Sequence, residues 1–399
     1  MKSQRVIIVG GGPVGLTAAI LLGHYGIECL VLEADTEVPR DLRASTFHPP
    51  TLDMLDRFGI TQRLIDAGLV APTWQVRWHT TGEFAEFDLG VLKAHTAHPY
   101  RLQCEQWRLA EFQLEYIQNK LPGIEVLRGH RVQSFSQNED GVEVIAQDPA
   151  GEQHSFSGAY LIAADGARSV IRTQLGLTFE GHTFPETTVL ATTRFPFHDH
   201  LPNLSYINYC WKESGTFSLL RLKDLWRASL YPRDGESDEE AVTPASVQSK
   251  LQEIFPTAEP YEILEIRPYR IHQRVVNGYV HGRVVLAGDA AHINSPSGGM
   301  GMNGGIHDAF NLTDKLNRIY AGEGVELLQL YERQRRPIAI KHVLEQSGRN
   351  RARMQERDTE KRRRSLTELQ RKASDEALAT AYLLETSMIS SLRESEAIE

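Results

Sequence analysis

The stretch Val6-Ile7-Ile8-Val9-Gly10-Gly11-Gly12-Pro13-Val14-Gly15 decides the fold. Its first four residues are all β-branched, which suits a short strand buried on both faces. Gly10, Gly12 and Gly15 then satisfy G-x-G-x-x-G. Leu16 to Tyr25 predicts a mostly apolar helix closed by Gly26, and Cys29-Leu30-Val31-Leu32 predicts a second strand with Glu33 at its end. The glycine pattern alone is a weak signal. Between a strand and a helix, with an acid ending the next strand, it marks a dinucleotide loop. Gly10 permits the tight turn, Gly12 lets backbone approach a pyrophosphate, and Gly15 lets the helix press on the strand. The helix N-terminus, with Pro13 and Val14 leading into it, offers unpaired N–H groups to phosphate. Glu33 can accept hydrogen bonds from a ribose diol. FAD and NAD are equally compatible with this unit.

Outward from that loop the composition is ordinary. The 399 residues carry 43 Lys and Arg against 52 Asp and Glu, a formal net charge of −9, with 41% hydrophobic and 24% charged residues. These values argue against disorder and against a fibrous chain. The acidic balance argues against a nucleic-acid partner. Cys29, Cys104 and Cys210 are scattered, with neither a disulfide framework nor metal-ligand spacing, so no metal site is expected and a reducing cytoplasm fits. No apolar run is long enough to span a bilayer, so no stable membrane association is expected. The apolar run at Val6 leads straight into the glycine loop, unlike a signal peptide.

The chain reads as an α/β protein in four parts. Residues 1–175 and 271–345 form a discontinuous nucleotide-binding domain. A helix is expected over Thr51–Phe58 and another over Glu105–Asn119, with short strands between Ile124 and Ala146 and a buried strand at Tyr160–Ala164. Residues 176–270 lose helical periodicity and alternate instead, as in Thr216–Leu220 and Trp226–Tyr231, which predicts an inserted, mostly antiparallel β-sheet domain for substrate. Pro232–Ala245 reads as a polar loop. Arg283–Ala287 is a further buried strand, followed by Gly288-Asp289, a glycine-rich loop and a helix from about Ile306. Residues 346–399 read as a charged helical segment, packing through Leu366, Leu369, Leu378 and Leu383.

Two later motifs separate the cofactor options. Ala164-Asp165-Gly166-Ala167-Arg168-Ser169 closes one buried strand, and Ala287-Gly288-Asp289-Ala290-Ala291-His292 closes another. Pro296-Ser297-Gly298-Gly299-Met300-Gly301-Met302-Asn303-Gly304-Gly305, then Asp308-Ala309 and Asn311-Leu312, follow. On these residues the chain resembles the FAD-dependent aromatic hydroxylases, the para-hydroxybenzoate hydroxylase family of class A flavoprotein monooxygenases, over roughly residues 3–345. The resemblance implies a Rossmann-like FAD domain with an inserted sheet. It implies that Asp289 binds the ribityl chain, and that Gly301, Met302 and Asn303 contact the flavin ring beside Pro296. Arg43 and Gln106 (with Gln103 as competitor) would bind the ribityl and phosphate portion, and Asp165 would touch the flavin side and shape where the nicotinamide docks. No separate NAD(P)H domain is evident, so NAD(P)H would bind transiently in a surface groove.

The implied reaction has NAD(P)H reduce FAD, O₂ add to the reduced flavin, and a C4a-hydroperoxide transfer oxygen to a small phenolic or N-heteroaromatic ring, in aromatic catabolism. The protein supplies binding, orientation and water exclusion. A phenol reacts faster once deprotonated, so a Tyr or His near its hydroxyl is expected. Tyr209 is the first candidate, with Tyr206, Trp211, Tyr269 and His272 behind it; ordinary core packing is the competing reading for each aromatic. Arg221 and Arg227 read as solvated strand charges or as partners for a substrate carboxylate. His292 reads as structural, bonded to local backbone. The Trp-x-Trp-x-Ile-Pro signature of halogenases is absent, and the segment after 345 is too short for the thioredoxin-like domain of the larger phenol hydroxylases. Other readings are a reductase or epoxidase acting on an isoprenoid or other alkene, and a non-catalytic binding protein of the same fold. A homodimer is what the family implies.

Overall fold

The computed structural model of the chain describes residues 4–40 and 44–399. Arg43 therefore lies outside the described residues. The strand Val6–Val9 sits third from one edge of a six-stranded sheet, between Tyr160–Ala163 and Cys29–Glu33, with Ile124–Arg128 and Val284–Leu286 beyond them. These five strands run parallel, and Val280–His281 adds an antiparallel edge. Every residue of Val6–Val9 is buried, as a strand covered on both faces requires. The helix Pro13–His24 follows the glycine loop and packs against the helices Gln106–Lys120 and Gly301–Tyr320. An antiparallel meander of Arg131–Gln137, Val142–Gln147 and Gln153–Gly158 crosses between the sheet's strands.

The second body is an eight-stranded mixed sheet. It contains Phe179–Thr193, Ile207–Lys212, Gly215–Arg221, Trp226–Leu230 and Ile263–Val276, where alternation predicts strands. It also takes in Thr73–Trp78, parallel to Ile207–Lys212, and Phe84–Asp88, which the sequence reading left with the nucleotide part. The sheet has two different faces. Phe217, Leu219, Trp226, Ala228 and Leu230 point into a core covered by the helix Pro244–Ile254. Residues one position away, Ser218, Leu220, Arg227 and Ser229, face the nucleotide domain.

Two local readings are corrected, and a third holds in part. Pro232–Ala245 is not all loop: Ser237 caps the short helix Asp238–Ala241 through a reciprocal capping box with Glu240, and Thr243 caps the helix that starts at Pro244. The helix expected from Ile306 begins at Gly301, because glycine in a first turn is tolerated where the N–H groups are unpaired anyway. The C-terminal helices Thr359–Ser374, Glu376–Thr386 and Ile389–Glu396 pack through Leu366, Leu369 and Leu383 as expected, whereas Leu378 is only half-buried. Leu366, Leu369, Leu383 and Ile389 are buried against Trp74, Trp78 and Phe87 of the sheet.

Candidate active site

Two cavities meet between the two sheets. One, of about 540 Å³, runs along the glycine loop past Glu33, Trp107 and Asp165. The other, of about 380 Å³, lies between the eight-stranded sheet and the loop 293–302. Both are lined by Gly12, Pro13, Gln106, Ala164 and Gly166, so they form one trough.

The three glycines of the loop have different physical duties. Gly10 has φ +105°, and a Cβ there would sit 2.3 Å from the Ala164 carbonyl oxygen. A Cβ on Gly15 would lie 2.0 Å from the Gly10 carbonyl oxygen, so this residue serves contact of helix with loop. Gly12 is unlike either: its φ is −80°, and a Cβ would meet nothing within 4 Å. No atom of the described residues demands glycine there. Its missing side chain opens the trough at the N-terminus of the helix Pro13–His24, a cradle that fits a pyrophosphate. Glu33 accepts from the Gly11 amide at 2.6 Å and the Asp35 amide at 2.8 Å, fixing its carboxylate at the mouth of the larger cavity.

Asp289 is exposed to the smaller cavity at the end of the strand Val284–Leu286. The turn that carries it is tied down by a fully buried carboxylate. Asp308 accepts from the Gly288 amide at 3.1 Å, from His292 Nε2 at 2.7 Å and from Arg335 Nε at 2.7 Å. Burial alone would raise the Asp308 carboxyl, but Arg335 and His292 outweigh it and bring it down to about 2. His292 is structural as expected, though its partner is this carboxylate and not local backbone.

Gly301 and Met302 line the cavity at the start of the helix Gly301–Tyr320. Asn303 is fully buried behind them. It donates to the carbonyls of Thr46 at 2.9 Å and Gly299 at 2.7 Å and accepts from the His48 amide at 3.0 Å, so its side chain holds the loop that bounds the site. Gln106 lines both cavities, whereas Gln103 is fully buried and accepts from Thr46 Oγ1 at 3.2 Å. Asp165 uses one oxygen on the Val170 and Ile171 amides; its other oxygen is buried without a partner, and burial pushes its pKa up.

On the sheet side Tyr209, Ser218 and Ser229 stand in one cross-strand row, with Leu220 paired to Arg227 beside it. Tyr209, Arg227, Tyr231, Tyr269 and Pro296 all line the 380 Å³ cavity. Arg227 donates to Ser45 Oγ at 2.9 Å. His272 is not there. It is exposed, three residues from Tyr269 on one strand and hence on the opposite face, where Nδ1 pairs with Thr183 Oγ1 at 2.8 Å. His272 therefore leaves the set of catalytic candidates. Trp211 is buried, donating to the Arg353 carbonyl, and Tyr206 stacks with Arg221 away from the cavity. Sequence reading missed Tyr231 and Met354 as wall residues and undervalued Arg227. The first and last were legible in the alternation of Trp226–Tyr231; Met354 comes from the helix Glu345–Gln355 and had no local signal. The three thiols are buried and unpaired, and burial raises all three pKa values, to about 12 for Cys104 and Cys210. Such thiols are poor nucleophiles at neutral pH.

A dinucleotide cradle feeding a ring-sized chamber, the two walled by different sheets, defines a single-component flavoprotein aromatic hydroxylase. The chain belongs to the FAD binding domain family, whose pattern matches residues 3–347. It is 33% identical to the para-nitrophenol 4-monooxygenase of Pseudomonas sp. (strain WBC-3), over 97% of this chain and 96% of that one. It is 35% identical to the 6-hydroxy-3-succinoylpyridine 3-monooxygenase of Pseudomonas putida (strain DSM 28022 / S16), over 85% of this chain and 86% of that protein. The crystal structure of p-nitrophenol 4-monooxygenase from Pseudomonas putida DLL-E4 superposes with a TM-score of 0.90 at 31% identity, covering 98% of this chain and 99% of that one. The chain is thus an FAD-dependent aromatic monooxygenase. None of the helices among the described residues is long and apolar enough to cross a membrane.

Proposed function

We propose that the enzyme hydroxylates a small phenol, with NAD(P)H as reductant, in the cytoplasm and as part of aromatic catabolism. The observation that carries this reading is the 380 Å³ chamber: its size suits one substituted ring beside a ring of the cofactor, and Tyr209, Tyr269, Tyr231 and Arg227 line it. The relatives that act on para-nitrophenol and on a hydroxylated pyridine support a para-substituted phenol or its aza-analogue. A polyprenyl alkene would need a long apolar channel, whereas Ser218, Ser229 and Arg227 make this wall polar.

Gly12, Pro13, Glu33 and Gln106 would hold the dinucleotide portion of FAD, Asp289 its ribityl hydroxyls, and the first-turn amides of Gly301 and Met302 the pyrimidine edge of its ring. Bound FAD supplies the electron transfer and the activation of O₂. The chain's own residues do the rest. Tyr209 binds the ring hydroxyl and fixes which carbon faces the cofactor. Tyr231, Tyr269 and Met354 close the chamber to water, and Pro296 stiffens the loop against which the ring lies. Arg227 attracts an anionic or strongly polar substituent at the far end of the ring. NAD(P)H docks from outside near the Asp165–Arg168 turn, and a second copy of the chain completes a homodimer.

The test is direct. The purified protein should be yellow and release FAD on denaturation, and NAD(P)H oxidation with oxygen uptake should be accelerated by a member of a panel of phenols, nitrophenols, hydroxybenzoates and hydroxypyridines, with formation of the hydroxylated product. Reduction of the protein that no aromatic compound accelerates would defeat this reading.

A further inference from the structure

Behind Tyr209 lies a buried cation with no carboxylate partner among the described residues. Arg101, on the strand Arg101–Gln103, is 3% exposed. No carboxylate of the described residues lies within ion-pairing distance of it. Its Nε has no hydrogen-bond partner, and its Nη2 makes only a long contact of 3.4 Å to the Thr386 carbonyl oxygen. The guanidinium carbon stands 5.1 Å from the centre of the Trp74 ring, which itself meets Tyr209 edge-on at 6.1 Å. Arg101 and Tyr209 share a small cavity of about 20 Å³, continuous with the chamber through Tyr209, Ser297 and Met354. A guanidinium with no carboxylate beside it is costly in such a place, because burial removes its hydration and the Thr386 carbonyl, the Trp74 ring and the Tyr209 hydroxyl return only part of the lost interaction. The groups around it do not neutralise it. His48 is fully buried and kept uncharged by that burial, Arg353 lines the same small cavity and is itself cationic, and the remaining titratable neighbours are the phenols of Tyr209 and Tyr382. Two polar side chains, Tyr209 and Ser297, line both the small cavity and the chamber, and of these the Tyr209 hydroxyl is the one in hydrogen-bonding reach of Arg101.

We propose that Arg101 is the charge that makes the chamber bind its phenol as phenolate, acting through the Tyr209 hydroxyl. The guanidinium polarises the Tyr209 oxygen, so that the Tyr209 O–H becomes a stronger donor toward the ring oxygen of the ligand. On binding, the ligand's O–H bond breaks heterolytically: the electron pair stays on the ring oxygen, now held by Tyr209, and the proton goes to bulk water. The missing anion of Arg101 is thus the substrate. Arg101 is a positioning residue that touches neither ring, and it deepens the phenol reading given above, on which it rests. It also explains why an arginine with no carboxylate partner among the described residues is buried at the base of the substrate wall.

The probe is 4-nitrophenol, whose phenolate absorbs visible light where the phenol does not. Its bound spectrum is titrated in the FAD-loaded protein without reductant, so that no turnover is involved. In the unaltered protein the ionisation midpoint of bound 4-nitrophenol should lie below that of the free compound, since a nearby cation favours the charged form. Arg101→Met, of similar length and uncharged, should raise the bound midpoint by about one pH unit or more, a tenfold change in the ionisation constant. Arg101→Lys should restore most of the shift. Tyr209→Phe should raise the midpoint as well, and combining it with Arg101→Met should add nothing further, because the charge acts through that hydroxyl. A midpoint unmoved in Arg101→Met, with melting and flavin content intact, overturns the proposal, and so does full additivity in the double variant. Should Arg101→Met fail to fold, an unmoved midpoint in Tyr209→Phe overturns it equally. Failure of the unaltered protein to bind any phenol is a different result: it removes the phenol reading itself, and this inference with it.

Discussion

Gly12→Ala separates what the protein needs from what the cofactor needs. Gly12 sits at φ −80° and ψ −178°, backbone that any residue adopts, and an added Cβ meets no atom of the described residues within 4 Å. Replacing glycine should stabilise the unliganded protein by about 0.4–1 kcal/mol through the unfolded chain. Losing glycine at a helix N-cap offsets that by a few tenths of a kcal/mol or more. The melting temperature without FAD should therefore stay within about 2 °C. The same methyl group projects into the trough where a pyrophosphate would press on the backbone. Forcing an extra carbon into a close-packed contact costs about 1–3 kcal/mol, so FAD should bind ~5- to 150-fold more weakly. Gly10→Ala is the contrast: its Cβ would strike the Ala164 carbonyl oxygen at 2.3 Å on a backbone of φ +105°, and the apoprotein itself should lose stability. The assay is a pair of measurements on flavin-stripped protein, melting by calorimetry and FAD titration by quenching of flavin fluorescence. Unchanged FAD affinity in Gly12→Ala would show that the dinucleotide does not lie on this amide. A large fall in apoprotein melting would show that the open space at Gly12 is misjudged.

Other consequences can be checked alongside. Asp289→Ala should lower FAD retention during gel filtration while leaving the apoprotein's melting nearly unchanged, since Asp289 is exposed to the cavity. Asp308→Ala should instead destabilise the whole protein by about 3–5 kcal/mol, because Arg335 and His292 are left buried without their anion. For pH, the folded Asp308 carboxyl at about 2 lies below the ordinary unfolded value of about 3.9, so its stabilisation is complete above that value and disappears as pH falls toward 2. Chemical denaturation between pH 5 and pH 2 should show a steeper loss in the unaltered protein than in Asp308→Asn. Arg227→Met should raise KM for anionic or nitro-substituted phenols more than for phenol itself, whereas His272→Ala, on the far face of the sheet, should leave the kinetics of every phenol within about twofold; a large kcat loss there would return His272 to the site.

How much of this was legible in the chain depends on the range over which each signal acts. The strand, loop and helix from Val6 to His24 announce themselves because burial on both faces, a tight turn and a helix start are local demands, each written in adjacent residues. Tyr231 and Arg227 were half legible: period-2 alternation places them on one face with Ser229, but which face meets the cofactor depends on the helix Pro244–Ile254 covering the other. The error at His272 has the same root. Parity along the strand separates it from Tyr269, yet parity alone does not say which of the two looks inward. Asn303 shows a different limit. Its place in a glycine-rich loop suggests contact with a ring, while its amide reaches Thr46 and His48, more than 250 positions earlier, and no local pattern records such a partner. Arg101 is the extreme case. As sequence it is an unremarkable arginine between Tyr100 and Leu102; only the convergence of Trp74, Tyr209 and Thr386 removes it from water without giving it an anion. A residue that packing has made costly, at the wall of a chamber for ionisable rings, is where the fold has placed chemistry that periodicity cannot encode.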